Sequence, residues 1–407
     1  MLHEFTTATH GTDYGDRLDK IEMADGFAAR STWTTRQSPA VALPDGFPQT
    51  LHSGLAWGPD DIEGREHEFR LQLSEDERRE ILTACHDAKK SGIATNRLTK
   101  ATFPLPSLGG KLERINRHVL ESPGFFTISG LEPASYTPEE NVYVQAGLCC
   151  YLGDRRAIQY MAVSGFGPAL LHVTDLRDQG NPVSKDDFLM PVHGAQEIKF
   201  HQDQGDTLSL YCRQSSADGG ELFLSSSWKI YNELAAHHPD VIRTLAEPWE
   251  WQTERYAYER PKTMHEPCIF FEAGRLIMRF MKAPLEGSEE ARRDKRLAPL
   301  RPEQVHALRV VDALALKYTV TFRLQAGDMI FFNNLALLHA CNKFQDGDAQ
   351  GAKRHLTRMI VRDSQEGWEI PEMLHEHWSR WYDHDPAWEI LAEDAQRVWT
   401  NQNEGHG

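Results

Sequence analysis

No apolar run in this chain approaches the roughly 20 residues that a membrane-spanning helix needs. Nor does it carry a Lys/Arg cluster. The formal net charge of its 407 residues is −16, and the short ARRDKR run at 291–296 reads as a solvated loop. A nucleic-acid partner, whose phosphates recruit basic patches, is therefore not expected. An anionic ligand is not excluded, but its site would have to be local and inward-facing. The six cysteines, including the adjacent Cys149 and Cys150, show no CxxC, no zinc-finger spacing and no disulfide framework. Reduced thiols are the expectation. The opening segment MLHEFTTATHGTDYGDRLDK lacks an apolar core of signal-peptide type, so a cytoplasmic location is expected. Internal repeats and low-complexity tracts are absent as well.

What remains is an ordinary globular composition, 40% hydrophobic and 26% charged, long enough to bury a large core. Residues 1–70 are rich in Gly, Pro, Thr and Asp without periodicity and read as an irregular arm laid over a domain. Helices follow: SEDERREILTACHDAKKSG with Ser74 as N-cap and a stop at Gly92, LGGKLERINRHVLESPG, and TPEENVYVQAGLCCYLGD with Pro138 in its first turn. From about Ala157 the texture changes to short strands: AIQYMAVS, PALLHVTDL, EIKFHQD, LSLYCRQ, GELFLSS, a hairpin with Gly274 at its tip, TVTFRLQAGDMIFFNN and KRHLTRMIVRD. Two helical inserts, near 227–246 and 301–317, interrupt them, and PEMLHEHWSRWYDHDPAWEILAEDAQRVW reads as packed amphipathic helix. The class is α+β, with a sandwich or barrel at the centre. A single domain is expected over 71–407, with the strand-rich core at about 157–365 and C-terminal helices over 366–400. The helical termini offer a surface for a homo-oligomeric contact.

Three constellations carry chemistry. In EIKFHQDQGDTL, His201 and Asp203 stand two residues apart, so on a strand they share one face. Two histidines and a carboxylate on one side of a metal form the facial triad of non-haem Fe(II) oxygenases. His339, after the Gly327-Asp328 turn and an apolar strand, is the candidate for the second histidine. An isolated HxD means little in a chain with 19 histidines. In KRHLTRMIVRD, Arg354 and Arg358 share a strand face. They suit a dicarboxylate if that face points inward, or solvent, with Arg362 continuing the row, if it does not. One of Ser225, Ser226 and Ser227 is expected to cap the following helix. Trp249, Trp251, Tyr256 and Tyr258 either wall a pocket or pack, Arg279 is a weaker candidate for a site-facing cation, and His172, His375, His377 and His384 read as structural.

Taken together, FHQDQGDTLSLYCRQSSADGGELFLSSSWKIYNEL, LQAGDMIFFNNLALLHACNKF and KRHLTRMIVRD resemble the taurine dioxygenase family, Fe(II)- and 2-oxoglutarate-dependent oxygenases related to clavaminate synthase. The similarity runs from about Ser122 to about Leu374. The family pattern is HxD, a Thr or Ser roughly 23–26 residues on, a distal His, and an Arg roughly 10–13 beyond it. Here 23 residues separate Asp203 from Ser227, and 14 separate His339 from Arg354; the extra residue falls in the polar QDGDAQGAK loop.

The resemblance implies a double-stranded β-helix, or jelly roll, with flanking helices. It implies Fe(II) held by His201, Asp203 and His339, and 2-oxoglutarate bound by Arg354 assisted by Ser227. Arg358, Gln196 and Glu197 would meet the substrate, a small molecule of carboxylate or amino-acid type. With O2 the products would be succinate, CO2 and an oxidised substrate. Relatives that halogenate lack the carboxylate ligand, so Asp203 implies hydroxylation, or desaturation or cyclisation. Two competing classes remain: a zinc hydrolase or isomerase on the same ligands, and a non-catalytic jelly-roll binding protein. The first of these gives no role to the Arg354/Ser227 pair.

Overall fold

The computed structural model describes residues 6–7, 41–159, 168–176, 191–252, 262–287, 292–347, 353–384 and 390–391. Three helices come first: α1 (Glu75–Lys90), α2 (Gly109–Leu120) and α3 (Pro138–Cys149). Ser74 and Thr137 each close a capping box with the glutamate three residues on, satisfying amides that the first turn leaves open. Gly92, with φ +66, follows the end of α1.

The strands form two principal sheets. The larger runs β12 (Ile390–Leu391), β4 (Pro168–Val173), β11 (His355–Arg362), β6 (Thr207–Gln214), β9 (Met329–Asn333), β3 (Phe125–Ser129) and β2 (Arg70–Gln72). The smaller runs β1 (Thr6–Thr7), β8 (Thr319–Phe322), β7 (Leu222–Ser226), β10 (Leu337–Cys341) and β5 (Ile198–His201). Pairing is antiparallel except between β2 and β3 and between β12 and β4.

Alternation along the strands makes two cores. Leu208, Leu210, Ile330, Phe332 and Ile360 face the smaller sheet and join one cluster, whereas Tyr211, Met329, Phe331, Met359 and Val361 face α1–α3 and join the other. Because β9 is central and covered on both faces, all five of its residues are buried. The helical insert comprises α4 (Ser227–His237) and α5 (Pro239–Ala246), divided at Pro239; with α6 (Pro302–Lys317) it packs behind the smaller sheet. The fold is the expected α+β jelly roll with flanking helices.

Residues 41–70 are largely irregular, and Leu51, Leu55 and Trp57 sink into the inter-sheet core, where Trp57 Nε1 donates to Pro123 O at 2.6 Å.

Two expectations change. No strand covers 157–159: the successive amides of Ala157, Ile158 and Gln159 donate to Ile360, Trp381 and Pro168, three separate segments, so no ladder forms. The rest of AIQYMAVS lies outside the described residues, and a short strand at Arg155–Arg156 pairs with β11 instead. At the C-terminal end α7 (His375–Tyr382) is helical, but Ile390–Leu391 is a strand on the edge of β4. Pro386 lies between them, and proline cannot continue a helical ladder. Residues 392–407 lie outside the described set. Among the described residues, no helix is long and apolar enough to cross a membrane.

Candidate metal centre and co-substrate cavity

Strand register, not sequence spacing, assembles the site. His201, the last residue of β5, is the direct partner of His339 on β10. Their rings lie 4.1 Å apart between centroids, and Phe332 on the facing sheet packs against His339 at 5.1 Å. Asp203 follows past the strand end. Its Oδ1 is 3.8 Å from His201 Nε2 and its Oδ2 is 3.6 Å from His339 Nε2. Gln202 between them points away and is buried.

Ligand atoms of the three side chains lie within 4.8 Å of one another, the only such His/Cys/Asp/Glu group among the described residues. These separations suit ligand bonds of about 2.1 Å to one ion placed between them. His201 Nδ1 donates to Lys199 O at 2.8 Å, which selects the tautomer whose Nε2 lone pair faces the cluster. His339 Nδ1 is buried without a partner. Two imidazoles and a carboxylate with one side open fit Fe(II).

The electrostatics favour the deprotonated forms of Asp203 and His201. Burial opposes ionisation of Asp203, but the Arg358 guanidinium and the two imidazoles outweigh it and hold the carboxyl well below its ordinary range. Burial, with repulsion from His339, pushes His201 down to about 4.

A cavity of about 260 Å³ runs from this cluster between the sheets, its sides apolar at Val173, Ile198, Leu210, Leu222 and Leu356. Arg354 and Arg358 both line it, so their strand face points inward, not to solvent. Arg362, next in the row, forms an ion pair with Asp206. Arg358 pairs with Asp203 Oδ2 through Nη1 and donates Nε to Gln159 Oε1 at 2.8 Å. Arg354 marks the far end. Its Nη2 lies 3.2 Å from Cys341 Sγ, and its guanidinium stacks over Phe344 at 4.8 Å. It has no carboxylate partner among the described residues. Gly220 makes room for it: φ is +77, and a Cβ there would lie 3.1 Å from Arg354 Nε.

Three expected site residues lie away from the cavity's arginines. Ser227 is not brought to Arg354; it opens α4, and its Oγ donates to Ala336 O at 2.7 Å. Ser226 is the cap. Ser227 follows the Ser226 end of β7, whereas Arg354 neighbours Cys341, which pairs with Leu222 at the other end. Gln196 and Glu197 precede β5, are exposed and do not line the cavity. Arg279 is neutralised by Glu266, and Trp249 and Trp251 are fully buried packing residues; Tyr256 and Tyr258 lie outside the described residues. His172 bonds to His355 at 2.7 Å. Gln159, which holds Arg358, and Asn334, which bonds to the Asp203 backbone, were not singled out from sequence. Both reach in from distant segments with no local motif.

A jelly roll with a two-histidine, one-carboxylate cluster at the head of an arginine-lined cavity defines the class, a non-haem Fe(II)/2-oxoglutarate-dependent dioxygenase. The chain belongs to the taurine catabolism dioxygenase TauD, TfdA family, whose model matches residues 92–360. It is 32% identical over 352 residues to the taurine hydroxylase-like protein SAT17 of Stachybotrys chartarum (strain CBS 109288 / IBT 7711), covering 86% of this chain and 88% of that protein. Among solved structures it is similar in fold to an asparagine oxygenase in complex with Fe(II), 2S,3S-3-hydroxyasparagine and succinate (TM-score 0.55, 16% identity, 74% of this chain and 98% of that one). The non-heme iron oxygenase OrfP, in complex with Fe, succinate and (3S)-hydroxy-L-Arg, is similar too (TM-score 0.52, 14% identity, 72% and 94%).

Proposed function

We propose that His201, Asp203 and His339 hold Fe(II), that Arg354 binds the distal carboxylate of 2-oxoglutarate, and that the enzyme oxidises a C–H bond of a small amino-acid or carboxylate molecule. For hydroxylation the balance is substrate, O2 and 2-oxoglutarate giving hydroxylated substrate, succinate and CO2. The carrying observation is Arg354, a buried guanidinium without a carboxylate partner among the described residues, at the far end of a cavity headed by the metal cluster. A buried cation without a counter-charge is costly, and a bound carboxylate offsets that cost.

Iron and 2-oxoglutarate, when bound, supply the oxidising chemistry. The chain's residues do the rest. His201, His339 and Asp203 would hold the ion through two imidazoles and one carboxylate. The apolar walls exclude water from the reacting end. Arg354 fixes the reach of 2-oxoglutarate along the cavity. Arg358 holds Asp203 with Nη1, is itself held by Gln159, and keeps Nη2 for an anionic group of the substrate. An amino-acid substrate is favoured by this second cation and by the hydroxylated amino acids bound in the two solved relatives. One domain from about residue 71, with the preceding segment as an arm, and a reducing, cytoplasmic setting for the six free cysteines complete the reading.

The test is a panel of amino acids and carboxylates incubated with enzyme, Fe(II), 2-oxoglutarate and O2. Succinate should form together with a product heavier by one oxygen or lighter by two hydrogens, and both should vanish in His339→Ala. Equal turnover without 2-oxoglutarate would sink the proposal.

A further inference from the structure

Asp203 poses a structural problem that its role as a ligand makes acute. It lies two residues beyond the end of β5, where its N–H and C=O have no strand ladder to join, yet the segment is largely buried. Such groups need partners. One side chain supplies them. Asn334, 1% exposed in the turn between β9 and β10, accepts from Asp203 N with Oδ1 at 2.9 Å and donates Nδ2 to Asp203 O at 2.6 Å and Gly205 O at 2.8 Å. Its own backbone continues the clasp: Asn334 N donates to Asp206 O at 2.7 Å, and Asn334 O accepts from Gln202 Nε2 at 2.8 Å. Gln202, the middle residue of the HxD, is tied at its other end, where Oε1 accepts from Phe280 N at 3.1 Å. The tight HxD turn also depends on Gly205 (φ +102), where a Cβ would come within 2.6 Å of Ile360 and 2.7 Å of the Tyr382 hydroxyl.

We infer that Asn334 is the positioning residue of the iron-binding carboxylate, an inference that rests on the metal reading above. Its amide imitates a neighbouring strand for Asp203, binding the residue's N–H and C=O at once. Asn334 also belongs to the turn that leads, five residues on, to His339. The same clasp therefore sets where Asp203 stands relative to the distal histidine, and Gln202 secures the side of the strand that faces away from the metal. Gln202 and Asn334 touch no ligand themselves. They act through the backbone on the spacing of the donor atoms, and a site held open by even a fraction of an ångström binds its ion less tightly.

The test is anaerobic titration of metal-free Asn334→Ala with Fe(II), and separately with Co(II), whose visible d–d spectrum reports coordination. Loss of an outer partner of a ligand typically weakens metal binding by about 10- to 100-fold. That loss is expected here, with an altered Co(II) spectrum, while the metal-free variant melts within a few degrees of wild type. Binding within about twofold of wild type, with an unchanged spectrum, overturns the inference. If the alanine variant does not fold, Asn334→Asp is measured against the same criterion, since it keeps an acceptor for Asp203 N, loses the two donors and turns an acceptor oxygen toward Asp203 O and Gly205 O. A wild-type protein that binds neither ion refutes the metal reading itself, a different failure from an insensitive variant.

Discussion

Replacing Arg354 by Met separates function from stability more sharply than any other single change in the cavity. Methionine keeps most of the stem that packs on Phe344 and removes the charge. Among the described residues that charge meets only the Cys341 sulfur, 3.2 Å away, and the face of one ring. No carboxylate is lost, so the folded protein surrenders little. Relief from burying a cation offsets the lost cation–π contact of about 0.5–2 kcal/mol. Unfolding stability should therefore stay within about 1 kcal/mol of wild type or rise. Binding of 2-oxoglutarate behaves in the opposite way. Truncating one partner of a buried charge pair costs about 2–5 kcal/mol, and each 1.4 kcal/mol is roughly tenfold. Affinity should fall by about one and a half to three and a half orders of magnitude. Anaerobic titration of 2-oxoglutarate into the Fe(II) enzyme, followed by visible absorbance or calorimetry, measures it beside denaturant unfolding. A variant that binds 2-oxoglutarate within about tenfold of wild type would refute the assignment. So would a stability loss of several kcal/mol, which would mean that Arg354 has a structural partner in the apoprotein.

Ser227→Ala should leave the KM for 2-oxoglutarate unchanged and cost about 1 kcal/mol, because its hydroxyl serves Ala336 O, which the Ser227 amide still satisfies at 2.9 Å; a KM shift comparable to that of Arg354→Met contradicts this placement. Asp206→Ala removes the partner of Arg362 and the acceptor for Trp378 Nε1 at 2.7 Å, so unfolding free energy should drop by about 3–5 kcal/mol, with α7 loosened and more protease-sensitive; a loss below about 1 kcal/mol would show that the ion pair is dispensable. Stability should fall as pH drops below about 6.5. Burial, with Arg358 and His172, pushes His193 down to about 4, and burial, with Arg279 and Arg380, does the same to His377. Between about 4 and 6.5 the unfolded chain then binds more protons than the folded one, and each group costs up to roughly 1.4 kcal/mol per pH unit. Urea midpoints at about pH 7 and pH 5 measure this, and an equal or higher midpoint at the lower pH counts against it.

Much of the fold was legible because its signals are local. Ser74 announces α1 through its own hydrogen bond to the residue three positions away, and Pro138 marks the first turn of α3. Alternation along LSLYCRQ and KRHLTRMIVRD reflects a sheet with a core on each face. What escaped depends on partners that periodicity cannot name. AIQ has the composition of a strand, yet its three amides find three different acceptors, and Ile390–Leu391 becomes a strand only because the edge of β4 is there to receive it.

The site divides along the same line. His201, Asp203 and His339 were readable because the family resemblance joins an HxD to a distal histidine in chain order; the spacing alone would not have singled them out, and the register sets His201 against His339. Counting residues failed for Ser227 because β7 lies beside β10 in antiparallel register. Along that pair, Leu222 stands opposite Cys341 near Arg354, Leu224 opposite His339, and Ser226 opposite Leu337. A residue meant to share a carboxylate with Arg354 must therefore come from the Gly219–Leu222 end of the strand, and every step toward Ser227 leads away from the arginine. The side chains lining the cavity on that side include Ser215, Ser216, Asp218, Leu222, Arg323, Gln325 and Cys341; Ser216 Oγ already donates to Gly219 O at 2.9 Å, and Arg323 is paired with Glu221. With leucine at the nearest strand position, recognition of the distal carboxylate falls chiefly on Arg354 itself. The sensitivity expected of Arg354→Met and the silence expected of Ser227→Ala are then two consequences of one strand register.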